Sequence, residues 1–134
     1  MLGRAMTDRR PDADAIEILA DRAFSTIPDV LREQVDGVAI RVVDLPDEQT
    51  CADMELESPY DLLGLYHGIS LDQQSVLDVK QHVDMIFLYR LPLLEYAEET
   101  GEDLFDVVRH VLIHEIGHHF GFSDDDMDAI EAGE

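Results

Sequence analysis

Residues 114–124 read HEIGHHFGFSD, which is an HExxH motif followed by a glycine and then an aspartate at three-residue intervals. On a helix, His114 and His118 are four residues apart, so both imidazoles project from the same face. This spacing lets one ring nitrogen of each histidine bind a single metal ion at about 2.0–2.1 Å. Glu115 lies about 100° round the helix from His114. From there its carboxylate can accept a proton from water activated by the metal.

The residues after the histidines predict a third ligand. Gly121 has no Cβ, so it can end the helix in a left-handed conformation and reverse the chain. Asp124 can then return to the metal, and two histidines with one carboxylate leave the fourth position open, as in catalytic zinc sites. Ser123 can also cap a following helix in a capping box with Asp126, and Asp124 would then favour the helix dipole. The two roles are compatible, and Asp125 is the alternative ligand.

The wider sequence resembles a known family. HExxHxxGxxD is similar to the metzincin pattern HExxHxxGxxH with aspartate in place of the last histidine, as in snapalysin-type proteases. Together with DMIFLYR at residues 84–90 and PLL at residues 92–94, it resembles the small bacterial zincin-like "minimal metalloprotease" family over about residues 14–131. The resemblance implies a compact α+β zincin fold with Glu115 as general base. It also implies Zn²⁺ on His114, His118 and Asp124.

Length and composition indicate one globular domain. The chain has 134 residues, of which 46% are hydrophobic, enough for a modest core. We expect residues 1–11 to form a flexible N-terminal tail and residues 12–134 to form the metallopeptidase domain. The basic start of the chain lacks the apolar region of a secretory signal, and no apolar run is long enough to span a membrane.

Cysteine usage gives no sign of an oxidising compartment. Cys51 is the only cysteine, so no disulfide can form within the chain. We therefore expect a cytoplasmic protein. We interpret Cys51 as a small, partly buried residue, with a thiolate ligand to the zinc as the alternative.

The charge of the chain bears on its partners. Nine Lys and Arg against 31 Asp and Glu give a net charge of −22. This field repels RNA, DNA and anionic membranes, and it favours basic peptides or proteins. The alternative explanation is that the charge serves solubility alone.

Periodicity predicts an α+β domain with a small mixed sheet packed against the HExxH helix. The expected helices cover residues 12–26, 92–100, 104–120 and 124–131, and the expected strands cover residues 38–43, 62–67 and 83–89, with a turn near residue 68. Residues 83–89 are almost continuously apolar, which suits a central strand covered on both faces. By analogy with zincins, residues 62–67 would be an edge strand that pairs with extended peptide.

Several further residues near the motif have expected roles of their own. Met127 follows the third ligand more closely than the Met of a metzincin Met-turn does, so we expect it to pack in the core, with a Met-turn role as the alternative. His67 or Tyr66 can help to hold an oxyanion if the strand lies above the cleft. His110 and His119 are expected to have no role at the metal.

These features support one leading hypothesis and two alternatives. The leading hypothesis is a zinc-dependent metalloprotease, specifically an endopeptidase, acting through water and Glu115. A zinc-binding interaction module without activity would use the same ligands, but it would not need Glu115. A metal-dependent endoribonuclease of the HxxxHxxGxxH type lacks that glutamate, and a chain of charge −22 is poorly suited to RNA.

Overall fold

The computed structural model describes residues 10–35, 37–68 and 84–132. Its elements are α1 (Ala13–Ser25), α2 (Asp29–Arg32), β1 (Ala39–Val43), α3 (Glu48–Asp53), a 3-10 helix (Pro59–Asp61), β2 (Gly64–His67), β3 (Met85–Tyr89), α4 (Arg90–Thr100), α5 (Leu104–His119) and α6 (Asp124–Glu131). The predicted α+β class is confirmed. Most of the predicted N-terminal tail and the residues just after the predicted turn at residue 68 lie outside the described residues. Within the described part, no helix is both long and apolar enough to cross a bilayer.

The sheet is mixed, with strand order β1-β3-β2 among the described residues. β3 is central: Ile86 lies opposite Ile40 of parallel β1 and opposite Tyr66 of antiparallel β2. Helices α1 and α5 pack on the face that carries Ile86 and Leu88, both fully buried. The predicted packing of a small mixed sheet against the HExxH helix is therefore confirmed.

The other face of β3 is less covered than its apolar sequence suggests. Met85 and Phe87 are only half-buried. They line a cavity of about 480 Å³ whose walls also come from β1, β2 and the region of α3. In the described part of the chain, the expectation of full burial therefore holds for the face toward α5 and not for this one.

Helix α1 forms where its sequence pattern predicts it. The carboxylate of Asp12 accepts a hydrogen bond from the Ala15 N–H at 2.9 Å, which caps the first turn. Ile16, Ala20 and Ala23 recur at helical spacing and are fully buried. Because this apolar stripe packs against β1 and α5, it fixes the motif helix from one side.

Helix α4 begins earlier than the sequence indicated. It follows β3 directly at Arg90, two residues before Pro92. Proline is tolerated there because amides in the first turn of a helix have no partner within the helix. The Arg90 side chain is buried, and its Nε donates to the Pro11 carbonyl at 2.7 Å. This contact ties the start of the described chain to the end of the sheet.

Two glycines let neighbouring elements approach the motif helix closely. A Cβ on Gly64 would lie 2.7 Å from Cγ1 of Val111, so β2 rests almost directly on α5. A Cβ on Gly117 would lie 2.2 Å from Sδ of Met127, so α6 crosses close against the other side of α5. The groups that surround the two motif histidines therefore come from β2 and α6.

Candidate metal centre

Helix α5 packs into the core and carries the two motif histidines near its end. Leu112, Ile113 and Ile116 are fully buried, whereas the side chains of His114 and His118 are 20% and 56% exposed. The two imidazole rings have centroids 5.8 Å apart and planes at 77°. This places one ring beside the other along a single helix face, as the i, i+4 spacing predicted.

The chain reverses after α5 as the glycine predicted. Gly121 has a φ of +83°, a left-handed conformation that favours glycine. The Phe122 N–H donates to the Gly117 carbonyl at 2.8 Å, which closes the end of the helix. Ser123 then begins α6, and the predicted capping box with Asp126 is confirmed by both of its hydrogen bonds, at 3.1 and 3.2 Å.

Asp124 lies in the first turn of α6, where it comes back to the histidines. Its Oδ1 is 3.2 Å from Nε2 of His118. The expected capping box and the return of Asp124 therefore occur together. Asp125, the alternative ligand, belongs to no metal-compatible group of donors among the described residues.

The donor atoms of His114, His118 and Asp124 fit a metal ion. They all lie within 4.8 Å of one another. Two ligand atoms of a tetrahedral ion with bonds of about 2.0–2.1 Å are roughly 3.3 Å apart, close to the observed 3.2 Å between His118 and Asp124. Nε2 of His114 is buried and has no hydrogen-bond partner among the described residues. Two imidazole nitrogens and a carboxylate oxygen are donors that suit zinc.

Glu115 is held apart from these donors. Its Oε1 accepts a hydrogen bond from the backbone N–H of Tyr66 on β2 at 3.2 Å. Burial raises the pKa of the Glu115 carboxyl, while the Tyr66 hydrogen bond and the nearby His118 act in the opposite direction. The side chain is thus a fixed, partly desolvated carboxylate, and it belongs to no metal-compatible group of donors among the described residues.

Among the described residues β2 lies at the edge of the sheet, and the backbone groups on its outer side face the cleft. The Tyr89 N–H donates to the Leu63 carbonyl at 3.0 Å, so the alternation of an antiparallel ladder directs the backbone groups of Gly64 and Tyr66 away from β3. A cavity of about 220 Å³ lies between this edge and α5. Its lining residues are Leu62, Leu63, Gly64, His110, Val111, His114 and Glu115.

The polar side chains of β2 have other partners. The Tyr66 hydroxyl donates to the Asp84 carboxylate, and its ring stacks on His119 with centroids 4.0 Å apart. Burial is the main reason that the pKa of Tyr66 is raised, with the Asp84 contact adding to it. His67 lines the cavity on the opposite face of the sheet. The proposed oxyanion role of either side chain gains no support from these positions.

Two remaining residues occupy packing positions. Met127 is fully buried against Gly117, which agrees with the packing role expected for it. Cys51 is partly buried on α3, as expected, and it belongs to neither metal-compatible group.

Sequence reasoning missed a second group of donors. His110, which was given no role, contacts Glu131 of α6, and both lie beside His114. The signal was present in the spacing, because His110 precedes His114 by the same four residues that separate His114 from His118. Glu131 follows Asp124 by seven residues, so the two carboxylates share one face of α6.

Comparison with known proteins identifies the family. The model of the zincin-like metallopeptidase family matches residues 35–134, which include every element from β1 to α6. No curated protein matched the chain. The matched part holds the HExxH helix α5, strand β2 and the returning helix α6. The chain therefore belongs to the zincin-like metallopeptidase family.

Proposed function

We propose that this protein is a zinc-dependent endopeptidase that cleaves extended, basic peptide segments. The observation that carries the proposal is the separation of roles around α5. His114, His118 and Asp124 bring three donors together, while Glu115 stands beside them without joining the group. A site that only held a metal for stability would have no need of this additional carboxylate.

The proposed reaction requires one proton acceptor and donor, and Glu115 supplies it. When bound, zinc acidifies water and polarises the scissile carbonyl. Glu115 accepts the proton released by the attacking water and returns it to the leaving amine. Burial raises the pKa of the Glu115 carboxyl in the metal-free protein, which is the direction that favours a group that takes up a proton during the reaction. The hydrogen bond from Tyr66 holds the carboxylate in one place.

Substrate binding is assigned to the outer edge of β2. The backbone N–H and C=O of Gly64 and the C=O of Tyr66 point away from β3 and can pair with an extended peptide by β-augmentation, while the Tyr66 N–H stays bonded to Glu115. The edge borders the cavity that contains His114 and Glu115, so a peptide paired there lies alongside the reacting groups. The net charge of −22 favours basic peptides and opposes nucleic acid or anionic membrane as partners.

The test is hydrolysis of unstructured peptides by the wild-type protein before and after removal of zinc. We expect cleavage to stop on chelation and to return with stoichiometric zinc. Basic peptides should be cut faster than acidic peptides of matched length, and the difference should narrow at high salt because screening weakens the attraction. A zinc-loaded protein that cuts no peptide in a broad library would contradict the proposal and favour the zinc-binding interaction module.

A further inference from the structure

A second group of donors includes the first motif histidine and extends one helical turn before it. It consists of His110, His114 and Glu131, whose donor atoms all lie within 4.8 Å of one another. Nδ1 of His110 is 2.8 and 2.9 Å from the two carboxylate oxygens of Glu131. Oε1 of Glu131 is 3.4 Å from Nε2 of His114. Glu131 therefore lies between the two histidines.

The contact between His110 and Glu131 has the length of an ordinary hydrogen bond, whereas the distance from His114 to Glu131 suits two ligands of one ion better than a hydrogen bond. Nε2 of His114 is buried and makes no hydrogen bond among the described residues, although Glu131 is close. Its 3.4 Å separation from Glu131 is near the roughly 3.3 Å expected between two ligands of a tetrahedral ion. The rings of His110 and His114 lie 4.0 Å apart, tilted by 32°. An ion here would widen the contact between His110 and Glu131 by only about half an ångström.

Helix α6 supplies a carboxylate to each group. Asp124 approaches His118, and Glu131, two turns later on the same face, approaches His110 and His114. The contact between Met127 and Gly117 fixes α6 against α5 between these two points. The second group is therefore placed by the same packing that places the first.

We propose that His110, His114 and Glu131 form a second position for a divalent transition-metal ion, which competes with the first position for the imidazole of His114. A neutral imidazole has one unprotonated nitrogen with one lone pair, so it binds one ion at a time. His110 and His114 both line the cavity between α5 and β2, so an ion in the second position borders the proposed substrate cleft. This ion would share His114 with the first position, but it would not be bound by His118 or Asp124. The second position therefore holds a metal ion beside the complete ligand set of the proposed reaction and not within it.

The test measures Co²⁺ binding to metal-free protein by visible absorption and by competition with a chelator. His118→Ala removes a ligand of the first position only, and its side chain is 56% exposed, so the fold should tolerate the change. We expect His118→Ala to retain one Co²⁺ per chain. Adding Glu131→Gln should weaken its affinity at least about tenfold, the lower end of the loss that even outer-sphere partners cause. Adding Asp125→Asn instead removes the same charge from α6 and should have little effect.

Two further sets of variants guard against misfolding. In one set, His118→Asn replaces His118→Ala as the background. In the other, His110→Ala replaces Glu131→Gln. Circular dichroism establishes that each compared protein is folded. Equal Co²⁺ affinity with and without Glu131→Gln in folded His118 variants would overturn the second position. Such a result would leave the proposed peptidase activity untouched, because that activity is measured on the wild-type protein with the first position intact.

Discussion

Replacing Gly117 with alanine tests the close crossing of α5 and α6 that places the carboxylates. The new Cβ would lie 2.2 Å from Sδ and 2.7 Å from Cγ of Met127, whereas favourable contacts between heavy atoms are at about 3.5–4.0 Å. Met127 is fully buried, so its side chain cannot move into solvent while α6 stays in place. Either Met127 adopts a strained rotamer or α6 moves away from the motif helix.

The size of the effect follows from two opposing terms. Overpacking a core by a methyl group typically costs about 1–3 kcal/mol. Alanine in a helix interior is favoured over glycine by about 1 kcal/mol. Gly117→Ala should therefore lower the free energy of unfolding by about 0–2 kcal/mol. In a Met127→Ala background the obstruction is absent, so Gly117→Ala should raise the free energy of unfolding by about 1 kcal/mol.

Urea unfolding of the four metal-free proteins measures this cycle. Met127→Ala alone should cost about 2–5 kcal/mol because it leaves a cavity, and it serves as the reference for the double variant. The coupling between the two sites should have the size of the overpacking cost. A gain of about 1 kcal/mol from Gly117→Ala in both backgrounds would refute the close crossing.

Three further predictions concern α6 and Glu115. Asp124→Ala should weaken zinc binding at least about tenfold, as measured by competition with a chelator. Asp125→Ala should not weaken it, and Asp124→His should restore it. If Asp125→Ala is the variant that loses zinc, the chain returns to the metal in a different register. Ser123→Ala removes one half of the capping box and should lower the free energy of unfolding by about 1 kcal/mol in urea, so an unchanged value would argue against this cap. Burial raises the pKa of Glu115, so the folded, metal-free protein binds this proton more tightly than the unfolded chain, and stability falls as pH rises between the two pKa values. Glu115→Gln should therefore raise the thermal midpoint of metal-free protein near pH 7, and the gain should vanish toward the unfolded glutamate pKa of about 4.3; a gain that grows on acidification would contradict this.

Features set by local sequence were predictable. The motif helix, the turn at Gly121 and the capping box at Ser123 each depend on residues within a few positions of one another. In these stretches, periodicity and turn chemistry act without reference to the rest of the chain, so the structure agrees with the sequence interpretation.

Features set by packing between distant segments were not predictable. The hydrogen bond from Tyr66 to Glu115 spans 49 positions and depends on the register of β2 against β3. The contact of His110 with Glu131 depends on where α6 crosses α5, which the Gly117–Met127 contact decides. Helix periodicity places each residue on a face, but it does not say which face of another helix it meets.

The most direct test of the central claim compares Glu115→Gln with the wild-type protein in zinc content and peptide hydrolysis. Glutamine keeps nearly the same shape and can still accept the Tyr66 hydrogen bond, but it cannot act as a base. We expect the variant to retain its zinc and its fold while hydrolysis falls by at least about 10²–10⁴-fold. Hydrolysis by the zinc-loaded variant at the wild-type rate would contradict the role assigned to Glu115 and with it the proposed mechanism.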